Sequence, residues 1–250
     1  MSAGSTVFVA GAAGAVGRRL CPLLLEDGWR VVGTTRAAAK AEWLRSIGVE
    51  PVVVDVFDAE PLRAAVARSG ASVVVHQLTD LPQVRDPARL AAALERNARL
   101  RELGTKNLVA AALAAGATRF VAQSIAFAYA PGRQPYDEDA PLNVAAADLT
   151  AARSAQGVAS LERQVLGAPF EGIVLRYGRL YGPGTWYDSP SGGAPLHVDA
   201  AADAARRALL RGEPGIYNIA ESDGSVTSGK AQRILGWSPA FRIRPSQAGP

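Results

Sequence analysis

The sequence predicts a doubly wound α/β domain on a parallel sheet, and three observations carry that expectation. Apolar runs alternate with helical patterns through the first two thirds of the chain. The runs are continuously apolar rather than alternating, as in strands buried on both faces of a parallel sheet. The first of them, Val7-Phe8-Val9-Ala10, leads directly into Gly11-Ala12-Ala13-Gly14-Ala15-Val16-Gly17 and then a helical stretch. That strand–turn–helix order is the Rossmann-type arrangement for a dinucleotide pyrophosphate, which would sit at the helix N-terminus facing free N–H groups.

The elements follow in order. Strand Val7–Ala10 precedes a helix over Val16–Glu26 that ends near Asp27-Gly28, and strand Arg30–Thr35 precedes helix Ala38–Ser46. Strand Pro51–Asp55 is followed by helix Ala59–Ala67, stopped by Ser69-Gly70, and strand Ser72–Gln77 by one long helix over Leu90–Ala115. Strand Arg119–Ser124, helix Ala151–Leu166 and strand Gly172–Tyr177 complete the regular pattern. From about Gly178 the chain is rich in Gly, Pro and Ser, with a helix at Val198–Leu210 and shorter segments at Ile216–Ala220 and Gly229–Leu235. Residues 1–250 therefore read as a single domain, to which about 178–250 contributes a small, truncated C-terminal substrate lobe.

Composition narrows the function. The chain is 48% hydrophobic and 20% charged with a net charge of +4, a globular balance without a basic stripe for nucleic acid. Arg18, Arg36 and Lys40 put positive charge near a bound phosphate, while most other arginines read as scattered helix-surface charge. The single cysteine, Cys21, excludes an intrachain disulfide and reads as a buried core thiol. His76 and His197, the only histidines, form no metal motif. No apolar run reaches the length of a membrane span, and the N-terminal stretch lacks a basic leader, so a cytoplasmic protein without membrane or nucleic-acid partners is expected.

Specific positions then fall at the carboxyl ends of the strands, where such folds bind ligands. Gly11, Ala13, Gly14, Ala15, Val16 and Gly17 would form the phosphate loop. About twenty positions on, where an acidic residue would bind ribose hydroxyls, Arg36 follows Thr34 and Thr35, a set suited to a 2′-phosphate. Together with Lys40 it favours NADP(H) over NAD(H), with NAD(H) use also compatible. Asp55 and Val56 end the third strand, where the carboxylate suits either the adenine amino group or a cap on the next helix. Gln77, Leu78 and Thr79 follow the fourth strand beside the central ribose and pyrophosphate, and Tyr177 and Gly178 follow the sixth.

With these residues placed, the chain resembles the extended short-chain dehydrogenase/reductase superfamily, the group that contains nucleotide-sugar epimerases and dehydratases. The resemblance runs through Gly104-Thr105-Lys106-Asn107-Leu108, Phe120-Val121-Ala122-Gln123-Ser124, Leu175-Arg176-Tyr177-Gly178-Arg179-Leu180-Tyr181-Gly182-Pro183-Gly184, His197-Val198-Asp199 and Leu235-Gly236-Trp237-Ser238-Pro239. It implies a catalytic Tyr-x-x-x-Lys on the helix after the fifth strand and a Ser or Thr just beyond that strand. This chain departs there. Anchored on Glu162, the tyrosine position holds Ser154 and the lysine position Val158; anchored on Tyr129, the Ser/Thr position holds Ile125. No Tyr-x-x-x-Lys occurs anywhere.

The segment between the Gly-Pro-Gly block and His197 is short, which disfavours a nucleotide-sugar pocket. Trp186, Tyr187, Tyr129 and Phe127 would suit a slot for a flat apolar ligand, or pack as ordinary core and loop aromatics. Among atypical relatives the chain is similar to aromatic-polyketide tailoring ketoreductases acting on angucyclinone-like ketones in antibiotic biosynthesis. The resemblance thus implies an NAD(P)H-dependent ketoreductase whose substrate, an aromatic ketone beside a phenolic hydroxyl, assists its own reduction. Ser124 and Tyr129 are the candidate catalytic side chains, with Thr79 near them. The His197-Val198-Asp199 block reads as structural. A redox-inert NADP sensor and a sugar epimerase or dehydratase are the competing functions, and a monomer and a homodimer are equally compatible.

Overall fold

In the first strand, β1 (Thr6–Ala10), alternate side chains face opposite ways and all are buried, which requires a layer of structure on each face. Val7 and Val9 join one core with Leu20 and Leu24, while Phe8 and Ala10 join the other with Leu62, Leu108 and Leu161. The computed structural model describes residues 5–82 and 87–244. Within them, β1 is followed by α1 (Ala15–Glu26), β2 (Arg30–Thr35), α2 (Ala38–Ser46), β3 (Glu50–Val53), α3 (Ala59–Ser69) and β4 (Val73–His76). Next come α4 (Pro87–Arg99), a π-helical turn at Leu100–Gly104, α5 (Thr105–Ala114), β5 (Arg119–Ile125), α6 (Leu149–Leu166) and β6 (Glu171–Tyr177). Short strands β7 (Arg179–Tyr181) and β8 (Pro195–His197), then α7 (Val198–Ala208), β9 (Gly215–Ile219) and α8 (Gly229–Leu235), complete the order.

The main sheet runs β3-β2-β1-β4-β5-β6-β9, and every neighbouring pair is parallel. This is the doubly wound α/β fold that the sequence predicts. The order turns back between β1 and β4, so the crevice for a ligand opens beyond Ala10 and His76. Gln77 N–H donates to the Ala10 carbonyl at 2.8 Å, which holds the two strand ends together.

The segments after Gly178 have more than one home. Ile216–Ala220 supplies β9, which the sheet takes up as its edge beside β6. The helix at Val198 packs on α1 through a run of buried alanines, whose small side chains let the two helices approach closely. Asp199 fixes this helix from both ends of the chain: it accepts from Arg19 Nε at 2.6 Å and from the Ile243 N–H at 3.0 Å. The β7–β8 pair stands apart as a two-stranded unit. Where the sequence reads one helix over Leu90–Ala115, the structure has two, joined by the π turn.

Candidate functional site

The glycine loop is shaped by contacts that exclude side chains. A Cβ on Gly17 would lie 2.3 Å from the Gly11 carbonyl oxygen, so the start of α1 can press against the turn only if residue 17 has none. Gly11 has φ +91°, and a Cβ there would lie 2.8 Å from the backbone of Gln77. Gly14 differs: it is exposed, and a Cβ there would meet one atom, the Gly11 oxygen at 3.3 Å. Its open side faces away from the protein at the N-cap of α1, where no side chain caps the helix and the first turn holds no carboxylate. Unpaired N–H groups and the positive end of the helix dipole are thus free for an anion. These residues fit the pyrophosphate of a dinucleotide; of the other loop positions Ala15 is half-exposed, while Ala13 and Val16 are buried in the core beneath the turn.

At the end of β2 the polar groups are positive or neutral. Thr34 Oγ1 accepts from the Gly11 N–H at 3.2 Å, and Thr35 Oγ1 from the Ala37 N–H at 3.2 Å, leaving both hydroxyl protons to donate elsewhere. Arg36 is exposed and loosely tied to Asp80 at 3.3 Å, a carboxylate that it shares with Arg96. Arg18 stacks over the Trp43 ring at 4.5 Å, and Lys40 stands half-exposed at the start of α2. Asp55 accepts from the Phe57 N–H at 2.9 Å, which shapes the turn into α3. Val56 is buried and packs where a Cβ on Gly104 would touch it at 3.0 Å.

Beyond β4, Leu78 is half-buried and Thr79 exposed. Gln77 donates to Tyr177 Oη at 3.3 Å, while its buried Oε1 has no partner among the described residues, an orphaned acceptor beside the crevice. Tyr177 Oη in turn donates to the Ala201 carbonyl at 3.1 Å. Gly178 lies where a Cβ would meet the Ala194 oxygen at 2.2 Å, so its requirement is close packing of β7's entry.

His76 bridges β4 to α5. Its Nδ1 accepts from the Leu78 N–H at 3.2 Å, so Nε2 carries the proton and donates to Thr105 Oγ1 at 3.1 Å. Burial, reinforced by the charge of Arg101, pushes its pKa from 6.5 down to about 4. Between those values the unfolded chain holds a proton on His76 that the native chain does not. Its contribution is therefore complete above pH 6.5 and is lost as pH falls toward 4, by about 3 kcal/mol. Urea midpoints measured from neutral pH down to about pH 4.5 should fall less steeply for His76→Gln than for the natural chain; parallel curves would exclude His76 as the source.

Two of the three positions where the resemblance implies a proton relay come together, and the third stands on the same helix as one of them. Ile125 and Val158 share one apolar cluster with Ala128 and Ala155, and Ser154 stands one helical turn before Val158. Hydrocarbon thus fills the lysine and Ser/Thr positions. The candidate hydroxyls near them have protein partners. Ser124 Oγ donates to Glu162 Oε1 at 2.8 Å, and Tyr129 Oη donates to Asn218 Oδ1 at 2.6 Å while accepting from Arg176 Nη1 at 3.0 Å. Burial also raises the Tyr129 pKa, making it a poor acid. Its ring stacks on Tyr136 rather than in an open slot. Phe127 is half-covered by the Arg179 guanidinium at 4.3 Å. Trp186 is held by the Pro82 carbonyl at 2.7 Å, which draws the Gly182–Tyr187 loop toward the end of β4.

One residue that the sequence assigned to surface charge belongs to this site. Arg101, on the π turn, is 7% exposed and donates from Nη1 to Ser154 Oγ at 3.3 Å. The available signal is the polar series Asn97, Arg101, Thr105 at steps of four along an otherwise apolar helix face, all three buried.

This fold and loop define a nicotinamide-dinucleotide enzyme class, and the chain belongs to the NAD dependent epimerase/dehydratase family, whose model matches residues 7–215. Within it the chain is a reductase-type oxidoreductase. It is 43% identical over 267 residues to the 3-diazoavenalumate denitrifying reductase of a Streptomyces species, covering 98% of this chain and 86% of that protein. Among solved structures, UDP-glucose 4-epimerase of Thermotoga maritima, determined with UDP-glucose, aligns with TM-score 0.76 at 17% identity, covering 95% of this chain and 94% of that one. UDP-glucuronic acid 4-epimerase from Bacillus cereus, in complex with NAD, aligns with TM-score 0.71 at 16% identity, covering 95% and 94%. At these identities the likeness is one of fold. No helix among the described residues is long and apolar enough to cross a membrane.

Proposed function

We propose that this chain is an NADPH-dependent reductase of flat aromatic substrates whose reduction needs no proton from the enzyme, and that an aromatic diazo compound is the substrate class. The observation that carries the reading is the apolar Ile125–Val158 cluster standing where a proton relay is implied. A general acid typically contributes 10²–10⁴-fold to a carbonyl reduction. Its loss is costly for a simple ketone and costs nothing for a group that leaves as dinitrogen. The bound reduced nicotinamide supplies a hydride; the new C–H bond forms as the C–N electron pair departs with N₂, and no proton is consumed. The protein's part is to hold the ring against the cofactor and to exclude water, which orientation and apolar walls accomplish. The 43% identical denitrifying reductase supports this class. Arg36, Lys40 and Arg18 support NADPH over NADH.

A polycyclic aromatic ketone of the angucyclinone type is the second reading. The same vacancy favours it, because an adjacent phenolic hydroxyl would supply the missing proton from within the substrate.

The test uses purified protein, NADPH deuterated at the transferring position and a simple diazophenol, against a protein-free control. Enzyme-dependent NADPH loss, N₂ release and one deuterium on the carbon that lost nitrogen are expected, with NADH slower and the gap narrowed in Arg36→Ala. Hydrogen taken from solvent at that carbon would overturn the hydride reading. Turnover confined to hydroxy-ketones would favour the second substrate class, and tight NADPH binding without turnover on either would identify a sensor.

A further inference from the structure

Among the described residues two arginines are buried, Arg176 and Arg101, and Arg119 is half-buried at the sheet edge; Arg176 and Arg119 use every guanidinium nitrogen. Arg176 bonds Glu162 through Nε and Nη2, at 2.8 and 2.7 Å, and Tyr129 and the Glu138 carbonyl through Nη1. Arg119 reaches Glu171 and the carbonyls of Ala208, Arg211 and Gly212. Arg101 is as deeply placed, yet among the described residues its one hydrogen bond goes to Ser154. The carboxylate within electrostatic reach, Glu162, has both oxygens committed to Arg176 and one of them also to Ser124. On the other side His76 is neutral. Burial lowers the Arg101 pKa to about 10, so the group is charged at neutral pH. A buried cation without a counterion is destabilising, and a structural arginine would have its forked donors filled. This one stands against Ser154, the position where the implied relay would present its tyrosine to substrate.

We propose that Arg101, with the Ser154 hydroxyl beside it, binds a negatively charged substrate oxygen, a phenolate conjugated with the carbon that accepts the hydride. The inference rests on the aromatic diazo reading and narrows it. A bare arenediazonium cation is repelled by Arg101. A diazophenol is a zwitterion whose oxygen supplies the missing counterion, and a cation at that oxygen increases the diazonium character of the conjugated carbon. Hydride addition then gives the phenolate and N₂, with charge conserved and Arg101 paired throughout.

The binding test uses 4-nitrophenol as the probe on protein saturated with oxidised NADP, in the natural chain, Arg101→Met and Arg101→Lys. The natural chain should bind the probe in its ionised form, seen in its absorbance, at least about tenfold more tightly than Arg101→Met, with Arg101→Lys between them. NADP affinity should be equal in all three. Arg101→Met should melt no lower than the natural chain, because it removes an uncompensated buried charge. Probe bound as the neutral phenol, or equally well by Arg101→Met, overturns the inference. Turnover is a separate arm. Diazophenol should be preferred over 4-methylbenzenediazonium, and Arg101→Met should abolish that preference. Equal use of both compounds by the natural chain overturns the inference while leaving diazo reduction standing. Phenolate binding without any diazo turnover overturns the diazo reading and leaves Arg101 as an anion site.

Discussion

Glu162→Ala is expected to lower the melting temperature by roughly 6–20 °C. Glu162 is buried in α6 and joins two elements through one carboxylate: Oε1 and Oε2 take Arg176 of β6, and Oε1 also takes the Ser124 hydroxyl of β5. Removing one partner of such a pair typically costs about 3–5 kcal/mol, because the other charge stays buried with its donors unfilled. For a chain of this length each kcal/mol moves the midpoint by about 2–4 °C. Arg176 would keep Tyr129 and the Glu138 carbonyl, which limits the loss without replacing the charge. Glu162→Gln should fall between, since an amide oxygen still accepts. A melting temperature for Glu162→Ala within about 2 °C of the natural chain would show that the network contributes no net stability.

The second large effect concerns the cofactor loop, where two glycines should separate stability from binding. Gly17→Ala places a carbon 2.3 Å from the Gly11 oxygen and 2.6 Å from that of Ala12, so α1 must shift away from the turn. Both the melting temperature and NADPH affinity should drop, the affinity by about a hundredfold or more, as the N–H groups lose their alignment on the phosphates. Gly14→Ala meets a single atom at 3.3 Å on an exposed face and should leave the free protein's stability nearly unchanged. It should still weaken NADPH, because the added methyl stands where the backbone approaches the pyrophosphate. Fluorescence titration and thermal melts of the two variants measure this directly. A Gly14→Ala chain that binds NADPH normally would remove the loop from the cofactor site.

The sheet was legible because its strands are buried on both faces, so each is written as an unbroken apolar run: Val73 to Val75 cannot be mistaken for a surface segment. The glycine loop was legible for a related reason, since close backbone approach leaves residue 17 no alternative. The three-residue strands β7 and β8 carry too few side chains for any period to emerge. Strand β9 reads as an isolated apolar segment, because only its pairing with β6 places it in the main sheet. The commitments of Ser124 and Tyr129 were hidden as well. A hydroxyl's partner depends on Glu162 and Asn218, which are distant in the chain and brought near by the fold. Ser154, Val158 and Ile125 could be located by their spacing from Glu162 and Tyr129, but that spacing gave no hint of a cation beside them.

The widened turn at Leu100–Gly104 determines which way that cation points. Along an unbroken α-helix, the eight steps from Asn97 to Thr105 would leave the two about 80° out of phase. A turn that takes in one additional residue cancels most of that rotation, so Asn97 and Thr105 return to the same azimuth with Arg101 between them. Orientation here is a matter of phase rather than composition. Removing one residue from the segment would restore a regular helix with its two flanks still in phase, and would change the direction in which the guanidinium leaves the helix.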